Sequence, residues 1–530
     1  MLHVIAPSRS MCRDRSRFGA LLLSAALLVP KSTAAQPAPE DWQEARPRRA
    51  DEGRGPFKRL VIDNAILIDG SGVAAAAPTT LVVEGNRIAS MSGGVARQAG
   101  DEVIDAAGGY VLPGLIDTHM RVIDAGFDAI PPDYALKLLL AHGVTTIASM
   151  QDFGHVDWAL RMQKASQANT IVAPRIQVWS DVEGDTPEQV RSNIPSAHRR
   201  GVFGIGEGSV YSGKVELMRA ALDEAGKQKM GSHWHMGTTY DMNFNALDAA
   251  RLGMNGVTHW YGLTDTLMEA APVEEKGAGI PDVRRDGFAN KGRLWKQAAA
   301  PGSARWNAVI VEFLAPDFTL EPTFSVYEAN RDYMGVSRAE WHAQYLHPVM
   351  GSTFVPSTGG RFSHFFDWTS TDEVEWRGNF QRWMAFVNDY KARGGRVVAG
   401  SDSGYMWVIP GFGFVRNLEM LQEAGFSPSE VIHSATLASA EHLGMADRVG
   451  SIETGKLADL VILEHNPLDN LKVLYGTGYL SLQADGSTAR VGGVRYTIKD
   501  GVVYDARALL SDVAKMVAGG RSAPAPWSVE

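Results

Sequence analysis

The pattern of apolar and polar positions divides the 530-residue chain into three textures. From Leu60 onward it is short and β-like. Leu60–Leu67 is a strand candidate, and Leu81–Ala89 reads as a hairpin turning at Glu84-Gly85-Asn86. The same texture returns near the far end, where Leu457–Leu463 is an apolar run and Tyr496–Tyr504 is a hairpin with an Asp500-Gly501 turn. Strands need partners to bury a face, so the two ends are expected to complete one small β-sandwich together.

The long middle alternates apolar strands with amphipathic helices. Strand candidates are 112–118, 144–150, 171–179, 202–210, 231–236, 256–260, 318–326 and 396–401; helical patterns occupy 134–141, 156–168, 215–228 and 242–252. Eight strands separated by helices are the count of a closed (β/α)8 barrel. An open doubly wound sheet is the alternative, but no Gly-x-Gly-x-x-Gly turn follows the early strands. Two stretches, 264–304 and 327–376, break the alternation and are expected as insertions over the top face, where barrel enzymes build lids. The expected α/β organisation is thus a sandwich part at 58–112, a barrel at 113–444, a second sandwich part at 445–505 and a C-terminal tail at 506–530.

The N-terminus adds a different signal. Arg9, Arg13, Arg15 and Arg17 precede the apolar run Phe18–Val29, and the small residues Ser32, Thr33, Ala34 and Ala35 follow it. That order predicts a cleaved signal peptide at 1–35, hence export to the periplasm or the medium. The apolar run has 12 residues, short of the ~20 that span a bilayer. Residues 36–57, rich in Pro, Arg, Asp and Glu, read as a mobile leader. Cleavage removes five basic and one acidic side chain, which moves the net charge from −9 to −13, and it removes Cys12, the one cysteine. No basic surplus remains to neutralise nucleic-acid phosphates, and no disulfide or thiolate zinc site is open to the mature chain. Any metal must rest on His, Asp, Glu or a modified Lys. No later stretch reaches membrane-spanning length, and the oligomeric state leaves no mark in the sequence.

Candidate chemistry gathers at strand ends. His119 ends the first barrel strand, His233 and His235 the fifth, His259 the sixth and Asp402 the eighth, with Glu207 near the end of the fourth. A lone histidine there is ordinarily a hydrogen-bonded structural residue; several at the same edge of different strands point to a site. Imidazole and carboxylate donors suit a borderline cation such as Zn²⁺, one per chain. His235 lies two residues from His233 and so shares its face, as a second ligand or a substrate contact. Trp260 and Tyr261 either line a pocket or belong to the core. His342, His347 and His364 carry no assignment, and His433 and His442 are read as structural.

Leu112-Pro-Gly-Leu-Ile-Asp-Thr-His119, together with His233, His259, Asp402 and the late run Gly450-Ser-Ile-Glu-Thr-Gly-Lys-Leu-Ala-Asp459-Leu-Val, resembles the metal-dependent amidohydrolase superfamily, in particular its imidazolonepropionase and Xaa-Pro dipeptidase-like group. The resemblance covers about residues 58 to 505 and implies a barrel with a sandwich from both chain ends. Two departures stand out. The family pattern has His-x-His on the first strand, and here Arg121 replaces the second histidine; a guanidinium offers no lone pair to a cation. The fourth strand offers no lysine, and Glu207 is the nearest substitute. Some amino-sugar phosphate deacetylases of the superfamily hold one metal with a fourth-strand glutamate and two histidines. By that resemblance Glu207, His233 and His259 form the site, with His119 a further ligand or an outer donor. Asp402 is then the general base, and Arg121 fills the vacated position and balances charge.

These readings converge on an exported, metal-dependent hydrolase that cleaves a C–N bond of a cyclic amide or dipeptide-like small molecule with a metal-activated water. The alternatives are a metal-free pseudoenzyme or binding protein on the same scaffold, for which Arg121 speaks, a lactone or ester hydrolase, and an isomerase or deaminase.

Overall fold

The structure, a computed structural model, describes residues 42–72, 79–122, 129–151, 155–182, 184–206, 214–234, 236, 244–269, 294–355 and 368–522. The expected signal peptide at 1–35 lies outside the described residues, as do Glu207, His235 and His364.

Eight parallel strands stand in neighbour order: Leu115–Met120, Val144–Gln151, Arg175–Ser180, Gly204–Gly206, Gly231–Trp234, Gly256–Thr258, Thr319–Glu321 and Arg396–Val397. The first strand meets the segment after the eighth. Thr118 N donates to Ala399 O at 3.0 Å, Asp402 N donates to His119 O at 2.8 Å, and Met120 bridges Ser403 in parallel. This is the (β/α)8 barrel that the alternation predicts, and its C-terminal strand edge is where a site is expected.

Element boundaries differ where a turn residue intervenes. The apolar run 112–118 divides at Gly114, whose N–H goes to Asp459 O at 2.8 Å. Before it, Tyr110–Pro113 belongs to the other sheet. The candidate at 318–326 ends at Glu321, because Pro322 has no N–H for the ladder; helix Phe324–Val336 follows. Helices Pro132–Ala141, Val156–Gln167 and Val215–Gln228 match their patterns, whereas Pro187–Arg200 escapes a periodicity reading because only Val190 and Ile194 are buried on it. The described residues of the stretch 327–376 are largely helical: Phe324–Val336 runs into it, His342–Tyr345 and Pro348–Phe354 lie within it, and Ser370–Ala392 begins in it behind a Thr369/Asp372 capping box.

Both chain ends build one further sheet. Leu60–Leu67 pairs with Thr79–Glu84, Glu102–Asp105 and Tyr110–Pro113; the last of these pairs antiparallel with Leu460–Leu463, which pairs with Val494–Lys499, and that strand with Val502–Asp505. Leu60, Ile62, Leu81, Ile104, Leu460, Ile462 and Ile498 form its core. Arg175 on the third barrel strand forms buried ion pairs with Asp459 and Asp500, locking this sheet to the barrel.

The described parts of the expected leader and of the expected tail are packed. Within the expected leader, Trp42 stacks on His155 with ring centroids 3.4 Å apart. Helix Ala506–Ser522 occupies most of the expected tail. The physical reason is Lys137, fully buried on the first barrel helix, which donates to Glu52 Oε1 at 2.7 Å and to Asp512 Oδ2 at 2.6 Å. A buried ammonium needs such counter-charges.

Candidate active site

His119, His259 and Asp402 converge at the C-terminal edge of the barrel, all three buried, with ligand atoms within 4.8 Å of one another. His119 Nε2 lies 3.4 Å from Asp402 Oδ1, and His259 Nε2 lies 3.7 Å from Asp402 Oδ2. Arg121 reaches the same carboxylate, its Nε 3.5 Å from Oδ1. Burial opposes the charge on Asp402, but His119, Arg121 and His259 outweigh it and hold the carboxyl below its usual range.

Local backbone geometry aims these groups. His259 has φ 62°, Asp402 φ 48° and Thr323 φ 46°. Left-handed conformations at non-glycine residues cost roughly 1 kcal/mol or more each and gather at functional sites. Asp117 braces two strand ends at once, accepting from Ser401 N at 2.9 Å, Ser401 Oγ at 2.6 Å and His119 N at 3.2 Å. Burial lifts its carboxyl to about 7, against these hydrogen bonds.

The outer ring nitrogens are pinned as well. Thr323 Oγ1 donates its one proton to Pro322 O at 2.7 Å, so it accepts from His259 Nδ1 at 2.5 Å. His119 Nδ1 lies 2.9 Å from Glu321 Oε2 and 3.2 Å from Thr258 Oγ1. A carboxylate takes only donors, which assigns the proton of neutral His119 to Nδ1. Both histidines therefore turn an Nε2 lone pair toward the Asp402 carboxylate, a set of three donors that fits a divalent cation of the zinc type. Burial disfavours a charged His119, yet Asp402 and Glu321 push its pKa well above the ordinary histidine value.

Glu321, at the end of the seventh strand, is the residue that the motif reading missed. It is fully buried; Oε1 accepts from Thr118 Oγ1, and Oε2 faces both His119 Nδ1 and, at 2.8 Å, His233 Nε2. Burial opposes its ionisation, but His233 and His119 hold it well below the usual carboxylate range. No motif marks it. Its signal is the one that singled out the other strand ends, a polar residue closing the apolar run from Phe318. His233, expected beside His259 as a ligand, instead directs Nε2 to Glu321, and its Nδ1 has no hydrogen-bond partner among the described residues.

An aromatic wall stands behind His259. Tyr327 donates to the Tyr261 hydroxyl at 2.7 Å, and both rings meet His259 edge-on, at 5.4 Å for Tyr261 and 5.2 Å for Tyr327. Burial keeps both phenols protonated by raising their pKa values. Trp260 packs among Tyr261, Tyr327 and Trp376 and is part of that wall. Of the remaining histidines, His433 Nδ1 meets Gly70 O at 3.0 Å and His442 Nδ1 meets Thr319 Oγ1 at 3.1 Å.

A model of the Amidohydrolase family matches residues 110–277 and 382–503. The chain is 38% identical over 113 residues to adenine deaminase 2 of Rhizobium etli, a match covering 21% of this chain and 18% of that protein. It is 36% identical over 91 residues to imidazolonepropionase of Thermoplasma acidophilum, covering 17% of this chain and 20% of the other. The matches thus span only 18% and 20% of the length of these curated relatives. A solved Xaa-Pro dipeptidase with bound methionine shares the fold, with a TM-score of 0.57 at 19% identity over 84% of this chain and 100% of that one.

Proposed function

The chain belongs to the amidohydrolase family, and on that footing we propose that it is a metal-dependent hydrolase of carbon–nitrogen bonds outside peptides, acting on a cyclic amide or dipeptide-like small molecule. The names of its relatives, an adenine deaminase and an imidazolonepropionase, support C–N chemistry. The observation that carries the metal is the convergence of two histidine Nε2 atoms with pinned outer nitrogens on the Asp402 carboxylate.

His119, His259 and Asp402 hold the cation in this reading, one zinc per chain. When bound, the metal supplies Lewis acidity toward the substrate carbonyl and acidifies a water. Asp402, kept ionised by its neighbours, takes the proton of the attacking water at a carboxylate oxygen and returns it to the leaving nitrogen. Arg121 balances the charge of Asp402, and the protonated, hydrogen-bonded Tyr261–Tyr327 pair walls the site beside His259. We propose also that the protein is exported, on the N-terminal pattern of arginines, apolar run and small residues.

One observation favours a second reading. Arg121 already places a positive charge beside Asp402, as a metal-free binding protein on this scaffold would need. A panel of cyclic amides, N-acyl amino acids and dipeptide-like amides, with lactones for comparison, separates the two. Turnover of an amide, lost on chelation, restored by zinc and lowered about 10²–10⁴-fold in Asp402→Asn, is the expected result. Retained turnover after complete chelation overturns the metal reading, and binding of amides without turnover favours the second one.

A further inference from the structure

Glu321 sits beneath the His119–His259–Asp402 cluster and is committed at both oxygens. Oε1 takes the Thr118 hydroxyl, and Oε2 takes His119 Nδ1 at 2.9 Å and His233 Nε2 at 2.8 Å. The surrounding backbone is built around this arrangement. A Cβ on Gly400 would lie 2.6 Å from Glu321 Oε1 and 2.7 Å from His119 Cβ; a Cβ on Gly256 would lie 2.7 Å from His233 Nδ1. Gly256 on the sixth strand and Gly400 just past the eighth thus leave the room that a buried carboxylate and two imidazoles occupy.

Hydrogen-bond valence decides what the arrangement does. Oε2 of an ionised Glu321 can only accept, so both imidazoles must donate to it. His119 is thereby fixed with its proton on Nδ1 and its lone pair on Nε2, facing Asp402. His233 is fixed the other way, with Nε2–H spent on Glu321 and Nδ1 without a hydrogen-bond partner among the described residues. An imidazole so committed cannot also offer Nε2 to a cation.

We infer that Glu321 is the positioning residue of the metal site: it orients His119 as a ligand, and His233 holds Glu321 in place instead of ligating. This rests on the metal reading proposed above. Carboxylates that accept from a ligating histidine typically contribute 10- to 100-fold to metal affinity, and here one carboxylate would serve the ligand on one side and be clamped by His233 on the other.

The test is zinc binding to the full chain after metal removal, followed by competition with a chromophoric chelator. Glu321→Gln is expected to weaken zinc by about 10–100-fold, and His233→Gln to weaken it less. The double variant should be no weaker than Glu321→Gln alone, because His233 acts through Glu321. Long-range proton–nitrogen spectra of the histidine rings in zinc-loaded wild type need no variant. A His119 proton on Nδ1 and a His233 proton on Nε2 support the role even where Glu321→Gln fails to fold. Zinc affinity in Glu321→Gln equal to wild type overturns this role alone. So does a His233→Gln loss that exceeds and adds to that of Glu321→Gln, or a His119 proton on Nε2. A wild-type chain that takes up no zinc overturns the metal reading itself and this role with it.

Discussion

Arg121 is the residue at which this chain parts most sharply from the pattern it otherwise follows. Its Nε lies 3.5 Å from Asp402 Oδ1, so a fixed positive charge and the proposed cation share one carboxylate. Like charges at such range repel, and the repulsion is set by the effective dielectric of the cleft. Arg121→Met removes that charge and keeps most of the side-chain volume. It is expected to tighten zinc binding by on the order of tenfold, measured by the same chelator competition, with thermal unfolding nearly unchanged. Weaker zinc binding in this variant would mean that Arg121 supports the site by holding Asp402 in place. His119, His259 and Asp402 were legible in the sequence because each is the polar end of an apolar strand. Glu321 obeyed the same rule unnoticed, since its strand is only three residues long and is cut short by Pro322.

The 42–57 segment and the Ala506–Ser522 helix meet through Lys137. Composition suggested a mobile leader and a tail, because a run of Pro, Arg, Asp and Glu has little apolar surface to bury. It could not reveal that one lysine of the first barrel helix is fully enclosed and takes its partners from both segments. Burial opposes the charge on Glu52, but hydrogen bonds from Arg46 and Lys137 hold its carboxyl at about 2. The folded-state value is depressed, so this stabilisation is present above the ordinary glutamate pKa near 4.5 and fades as pH falls toward 2. Glu52→Gln leaves Lys137 with Asp512 as its acidic partner and is expected to cost about 3 kcal/mol at neutral pH, read by denaturant unfolding followed through tryptophan fluorescence. The difference from wild type should shrink below pH 4, and a pH-independent difference would speak against the charge argument. Helix Pro187–Arg200 was missed for a related reason: with two buried side chains it lacks the apolar stripe that periodicity detects.

At the scale of the molecule, the barrel and the sheet shared by the chain ends were legible because both rest on apolar runs punctuated by turns, and because Asp459 and Asp500 sit in readable motifs. Their joint ion pairs with Arg175 were not legible, since the partners are 284 and 325 residues away from it. The same long-range assembly brings His119, His259 and Asp402 together from the first, sixth and eighth strands, and the account stands or falls on what that assembly holds. Elemental analysis of the purified wild-type chain beside His259→Ala tests it most directly. About one zinc per chain in wild type, and none above background in a folded His259→Ala protein, is the predicted result. A wild-type chain that carries no divalent metal and acquires none on dialysis against zinc would contradict it.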